Sequence, residues 1–183
     1  LAENRFSCSG VPVDCTFNAI NGILQEHPDV VISGINKGPN LGTDIIFSGT
    51  AAAARQASFY GIPGIAVSLA SFEKHLDYST LADFVSKNVE NLVTLCEKDI
   101  FLNINADSLS SYKGYKFTSL SNRCYKDKVS VYNAPDGKLY SFFVGGEVES
   151  FGDEDSDEKA VSEGFISITR VFSQPVSLKT DLQ

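Results

Sequence analysis

The stretch from Asp29 to Leu69 constrains the fold more than any other part of this sequence. Its first residues, Val30-Val31-Ile32, are apolar and β-branched and read as a buried strand. A loop with Gly34, Gly38, Pro39, Gly42 and Gly49 follows, and an alanine run from Ala51 reads as a helix reaching Tyr60. Gly61 suits the position just past a helix end, Pro63 blocks continuation, and Gly64–Leu69 is the next apolar strand. Strand, helix and strand with short connections make a right-handed βαβ unit, which implies a parallel sheet. In such sheets ligands sit where a loop leaves the carboxyl end of a strand and feeds a helix. Ser48-Gly49-Thr50 falls at that helix start, where free backbone N–H groups, two hydroxyls and the positive end of the helix dipole converge. That combination suits an anion, most naturally phosphate. Asn36 and Asn40 add carboxamides suited to phosphate oxygens or a hard cation. Ser48 and Thr50 fit ordinary N-capping equally well, so the residues alone leave capping and anion binding open.

With 183 residues and 43% hydrophobic content, the chain can bury a substantial core as one domain, or one with a small appendage. A formal charge of −8 argues against sequence-independent nucleic-acid binding, which needs a basic face. A small phosphorylated substrate would therefore be met locally, by a metal, a helix terminus or Lys37. No apolar run approaches membrane-spanning length, and no signal peptide is visible. Cys8, Cys15, Cys96 and Cys124 show no CxxC pair and no zinc spacing with His27 or His75. They read as free thiols of a cytoplasmic protein, with disulfides as the alternative.

Along the chain, Phe17, Ile20, Ile23 and Leu24 have the spacing of one helix face, entered through Pro12 with Asp14 at its start. Residues 77–97 give a longer amphipathic helix carrying Leu81, Phe84, Val85, Val89, Leu92 and Leu95, followed by a strand over residues 100–105. From residue 112 the period changes to two. Residues 115–118, 129–132 and 139–144 alternate, and Asn133-Ala134-Pro135-Asp136-Gly137 has hairpin-turn chemistry, so this half reads as antiparallel ribbon. Phe142 and Phe143 are adjacent and cannot both face one core, which points to a subunit contact. The acidic run from Gly152 to Glu158 reads as a solvated loop entering a helix, and residues 171–183 as a terminal arm. The expected organisation is an α/β core over residues 1–110 and a β-ribbon with a C-terminal oligomerisation segment over 111–183. No G-x-G-x-x-G follows the strand, which counts against a dinucleotide fold.

Four blocks carry a resemblance: Ser33-Gly34-Ile35-Asn36, Gly38-Pro39-Asn40-Leu41-Gly42, Ser48-Gly49-Thr50 and Gly61-Ile62-Pro63-Gly64-Ile65-Ala66-Val67-Ser68-Leu69. In order and spacing they resemble the central signature of the survival protein SurE family of metal-dependent nucleoside monophosphate phosphatases. Asp157-Glu158-Lys159-Ala160-Val161 and Gly164-Phe165-Ile166-Ser167-Ile168-Thr169 resemble that family's closing segments, with Arg170 where it usually has proline. The resemblance implies a Rossmann-like parallel sheet flanked by helices, with an antiparallel hairpin extension used to build a homodimer or homotetramer. It also implies phosphate monoester hydrolysis, with one magnesium or manganese ion per subunit activating a water molecule. Asn40, Ser48, Gly49 and Thr50 match the family's contacts to the substrate phosphate, and Asn36 matches a metal ligand. The family's other metal ligands, two adjacent aspartates near its N-terminus and a serine on the next loop, have no counterpart: no adjacent Asp-Asp pair occurs in this sequence. The catalytic residues are therefore unassigned. The first residue is Leu, so the missing ligands are expected upstream in the gene product. The alternative is a non-catalytic nucleotide- or phosphate-binding remnant.

Overall fold

The computed structural model describes residues 4–177. Its first helix, α1 (Pro12–Asn18), begins at a proline whose fixed φ suits a helix entrance, and the Val11 N–H donates to Asp14 Oδ2 at 2.8 Å. One wider π turn, Ala19–Ile23, continues it. The expected apolar face is only partly buried: Ile20 is inside, while Phe17, Ile23 and Leu24 remain exposed.

Strand β1 (Val31–Lys37) runs beyond Ile32 through residues expected to be loop, with a bulge between Ser33 and Asn36. It is not the buried strand the sequence suggested. β1 is the edge of its sheet and Ile32 is 44% exposed, because among the described residues only one neighbour pairs with it. That neighbour is β2 (Gly64–Leu69), reached through α2 (Gly49–Phe59), and the pairing is parallel. Gly61, at φ +72, takes the left-handed turn after α2 that a side chain would resist. A Cβ on Gly64 would lie 2.1 Å from the Ala54 carbonyl oxygen, so glycine there lets α2 lie close on the sheet.

Helix α3 (Ser79–Thr94) leads to β3 (Ile100–Ala106), parallel to β2. β2 and β3 are buried almost throughout, as their continuous apolar runs require. Strand period then separates two faces. Ile65, Val67, Leu69, Leu102 and Ile104 pack with Leu81, Val85 and Leu92 of α3, while Ala66 and Phe101 pack with Ala51 and Ala54 of α2.

The second half departs from a plain ribbon. β4 (Tyr115–Thr118) does not join the ribbon, and β9 (Ile166–Phe172) takes in the first two residues of the expected terminal arm, of which residues 178–183 lie outside the described residues. β9 inserts antiparallel to β3, and β4 adds parallel to β9, giving one mixed sheet in the order β1-β2-β3-β9-β4. The physical reason is burial: Ile166, Ile168 and Val171 are apolar and complete the core that β3 would otherwise expose. Segments on both sides of residue 110 thus build this sheet.

Between them lie two ribbons. β5 (Asn122–Tyr125) pairs antiparallel with β8 (Val148–Phe151), a pairing the sequence pattern did not suggest. β6 (Lys128–Asn133) and β7 (Leu139–Val144) form the expected hairpin, and every residue of β7 is exposed. The short helix α4 (Asp157–Ser162), capped by the Ser156 hydroxyl, precedes β9. No helix among the described residues is long and apolar enough to cross a membrane.

Candidate active site

The loop from Gly38 to Ser48 leaves the carboxyl end of β1 and folds over the ends of β2 and β3. Asn40 anchors it. Its N–H donates to Asn105 Oδ1 at 2.9 Å, and its carbonyl accepts from Asn103 Nδ2 at 2.8 Å and Asn105 Nδ2 at 3.1 Å. Asn103 and Asn105 sit two apart on β3 and so share the face turned toward α2. Their side chains fix the backbone of Asn40. The Asn40 side chain donates to Ser68 Oγ at 2.7 Å, and the residue is 6% exposed. Asn103 Oδ1 is buried without a partner among the described residues.

Two residues further, Gly42 adopts φ +52, and a Cβ there would lie 2.1 Å from the Ser121 carbonyl oxygen. Its N–H donates to Asp157 Oδ2 at 2.6 Å, while Asp157 Oδ1 accepts from the N–H groups of Ser121 at 3.0 Å and Glu158 at 2.8 Å. Asp157 is fully buried. It is therefore not part of the solvated acidic run: residues 152–155 are exposed, whereas Asp157 is buried, three backbone donors supplying the hydrogen bonds its carboxylate loses from water.

A single 3₁₀ stretch, Gly42–Ile46, carries Asp44. Asp44 turns to β5. Its Oδ2 accepts from the Tyr125 hydroxyl at 2.6 Å and lies 3.2 Å from Arg123 Nε, a charge contact not aligned as a hydrogen bond. Burial, followed by the Asp44 hydrogen bond, pushes the Tyr125 phenol pKa up. Thr43 Oγ1 closes the same junction, accepting from the Arg123 N–H at 3.1 Å and lying 3.2 Å from its carbonyl.

Ser48 caps α2, its hydroxyl accepting from the Ala51 N–H at 3.0 Å. Gly49 and Thr50 form the first turn, and Thr50 is buried. A cleft of about 570 Å³ opens here. Pro39, Asn40, Asp44, Phe47 and Ser48 line it from the loop, and Tyr125, Asp127 and Phe143 from the ribbons. Asn40 and Ser48 thus share one cleft, while Gly49, Thr50 and Asn36 are not among its lining residues. A separate apolar groove of about 530 Å³ lies beside β1, lined by Pro12, Ile20 and Val31 among others, without converging charged groups.

Asn36 lies at the end of β1, its Nδ2 donating to the carbonyls of Gly38 at 3.0 Å and Lys37 at 3.3 Å. Its Oδ1 is one neutral oxygen. Among the described residues no group of three or more His, Cys, Asp or Glu side chains could hold a metal ion. Magnesium and manganese take oxygen ligands that usually include carboxylates, so the residues present do not by themselves fit such an ion.

Sequence reasoning missed Tyr125, Asp127 and Phe143 as cleft residues, since they are remote in the chain and no local pattern ties them to the loop. For Asp157 one signal existed, the Asp-x-x-Ala-Val likeness of its segment.

Comparison with known proteins follows the same lines. A family described as Survival protein SurE matches residues 1–127. A protein named 5'-nucleotidase SurE from Synechococcus sp. (strain JA-3-3Ab) is 42% identical over 167 residues, covering 90% of this chain and 64% of that protein. One of the same name from Thermosipho melanesiensis is 39% identical, covering 91% of this chain and 66% of its own length. The crystal structure of the SurE protein from Aquifex aeolicus superposes with a TM-score of 0.75 at 34% identity, over 92% of this chain and 69% of that one. The chain spans just under two thirds of the length of these curated relatives. Its α/β fold, its loop and its sequence agree: the chain belongs to the SurE family.

Proposed function

We propose that this chain forms the phosphate-holding part of a phosphate monoester hydrolase that acts on nucleoside monophosphates. One observation carries the reading: Asn40 is fixed by β3 through its own backbone and shares a cleft with Ser48 at the start of an eleven-residue helix. The Ser68 hydroxyl can either accept from or donate to the Asn40 carboxamide, so a half-turn of that amide presents its NH₂ to a phosphate oxygen. The N–H groups of Gly49 and Thr50 and the dipole of α2 favour the same negative charge. Two curated relatives bear the name 5'-nucleotidase, which supports the substrate class.

These residues bind and orient the phosphate; they do not activate the attacking water. The family resemblance assigns that task to one magnesium or manganese ion per subunit, of which Asn36 would supply one oxygen. The carboxylates the ion needs are not among the described residues. That same shortage favours the second reading, a phosphate-binding module without hydrolysis.

The test is phosphate release from nucleoside monophosphates by the full-length protein. Release is expected with magnesium or manganese, to be lost with EDTA, and to fall in both Asn40→Ala and Asn36→Ala. Nucleotide binding without release would leave only the binding module. Activity indifferent to EDTA and to both substitutions would sink the reading.

The exposed β6–β7 hairpin supports association into a homodimer or homotetramer, and four free thiols suit a cytoplasmic location.

A further inference from the structure

Phe47 and Phe143 are 89% and 72% exposed, and both line the cleft that holds Asn40 and Ser48. They reach it from separate parts of the chain, Phe47 beside the cap of α2 and Phe143 on β7. The aromatic ring contacts among the described residues pair Phe84 with Tyr115, Tyr115 with Phe117, and Tyr132 with Phe142. Neither cleft phenylalanine takes part in them. The other aromatic wall is held in place: the Tyr125 hydroxyl is bound to Asp44, and the Arg123 guanidinium lies 5.8 Å from its ring centroid. The negative charge of Asp44 is offset by Arg123 at 3.2 Å; the second carboxylate of the cleft, Asp127, stands on the ribbon side and accepts from the Gly146 N–H at 2.9 Å. The cleft therefore combines polar donors with large unoccupied apolar rings, and its size suits a mononucleotide rather than phosphate alone.

We propose that Phe47 and Phe143 form a specificity clamp that holds the flat heterocyclic base of the substrate by stacking, while its phosphate lies at Asn40 and Ser48. The inference rests on the phosphomonoesterase reading for the position of the phosphate. Every base has a π face, so a clamp without hydrogen-bonding groups discriminates nucleotides from other phosphate esters but barely separates one base from another.

The experiment titrates the full-length protein calorimetrically with adenosine monophosphate, cytidine monophosphate and ribose 5-phosphate, and measures phosphate release from each. Both nucleotides should bind roughly tenfold or more tightly than ribose 5-phosphate. Phe47→Ala and Phe143→Ala should each remove most of that advantage and leave ribose 5-phosphate binding unchanged, and Phe47→Tyr should restore it. Because Phe143 lies on the hairpin proposed to join subunits, the mass of each variant is followed by sedimentation, and Phe47→Ala, off the hairpin, decides. Equal affinity for nucleotide and sugar phosphate in the unmodified protein, or nucleotide affinity unchanged in Phe47→Ala, overturns the clamp. Phenylalanine-dependent nucleotide binding without any phosphate release supports the clamp and refutes the hydrolase. Release from all three esters at equal KM does the reverse.

Discussion

Asp157 shows how much one side chain can fix from a distance of more than a hundred residues. Its carboxylate gathers the N–H groups of Gly42 and Ser121, both at buried positions, and so sets where the phosphate loop crosses the ribbon. Replacing it by alanine strands those donors, and each stranded buried group costs about 1–3 kcal/mol. Asp157→Ala is expected to lower the free energy of unfolding by about 3 kcal/mol, read from the urea midpoint. Tyr112 makes a separate prediction. Half-buried and donating to the Asp107 carbonyl at 2.9 Å, its phenol is pushed up to about 12 by burial first and then by the charges of Asp107 and Asp77. A raised folded-state pKa favours the neutral phenol, so its contribution is complete below the ordinary value of 10 and is lost as pH rises toward 12. Urea titrations between pH 8 and 11 should show an alkaline loss of stability that is smaller in Tyr112→Phe, which has no proton to release. Periodicity and spacing reveal neither residue's environment, because burial of Asp157 and Tyr112 depends on partners that the chain brings together only after folding.

At the level of elements, the alanine-rich helix α2 lies close on the sheet because the face it buries is made of small side chains. Ala51, Ala54 and Ala57 are buried, and Gly64 admits the helix backbone where a Cβ would meet the Ala54 oxygen. Gly64→Ala should push the helix outward and destabilise the fold by about 1–3 kcal/mol, the usual range for overpacking. A thermal melt followed by circular dichroism checks it, and an unchanged midpoint would refute the close approach. The pieces of this unit were legible beforehand: the strand over residues 64–69, the helix starting after Ser48, and the turn at Gly61 all follow from local chemistry. The same is true of the β6–β7 hairpin, whose turn residues and alternation are adjacent in sequence. What local pattern missed was membership. β4 alternates like a ribbon strand, yet it lies in the core sheet because β9 is there to receive it. β1 looked buried because three β-branched and apolar residues in a row usually are, but burial needs two neighbours and the described residues give it one.

For the whole molecule, the hairpin dominates the surface. Val129, Val131, Leu139 and Phe142 are all more than half exposed, an apolar cluster of the kind that marks a protein contact. The full-length protein is expected to sediment as a dimer or tetramer, and Leu139→Lys should shift it toward monomer without lowering its unfolding midpoint. A single species of monomer mass in the unmodified protein would remove the assembly role of the hairpin. The candidate site was legible only on its loop side, where Asn40 and Ser48 stand close in sequence. Its ribbon side was not, because Tyr125 and Phe143 reach the cleft through pairings that no short window contains.

The late strand β9, which lies between β3 and β4, antiparallel to the first and parallel to the second, also dictates a schedule. As the nascent polypeptide leaves the ribosome, the β1–α2–β2–β3 half can assemble early, but one flank of β3 stays bare until residues 166–172 emerge. Contacts that span so much chain form slowly, and an open apolar strand flank invites pairing with other chains. Translation that stalls after the hairpin but before Ile166 would therefore release a product with a half-built sheet, a natural client for chaperones.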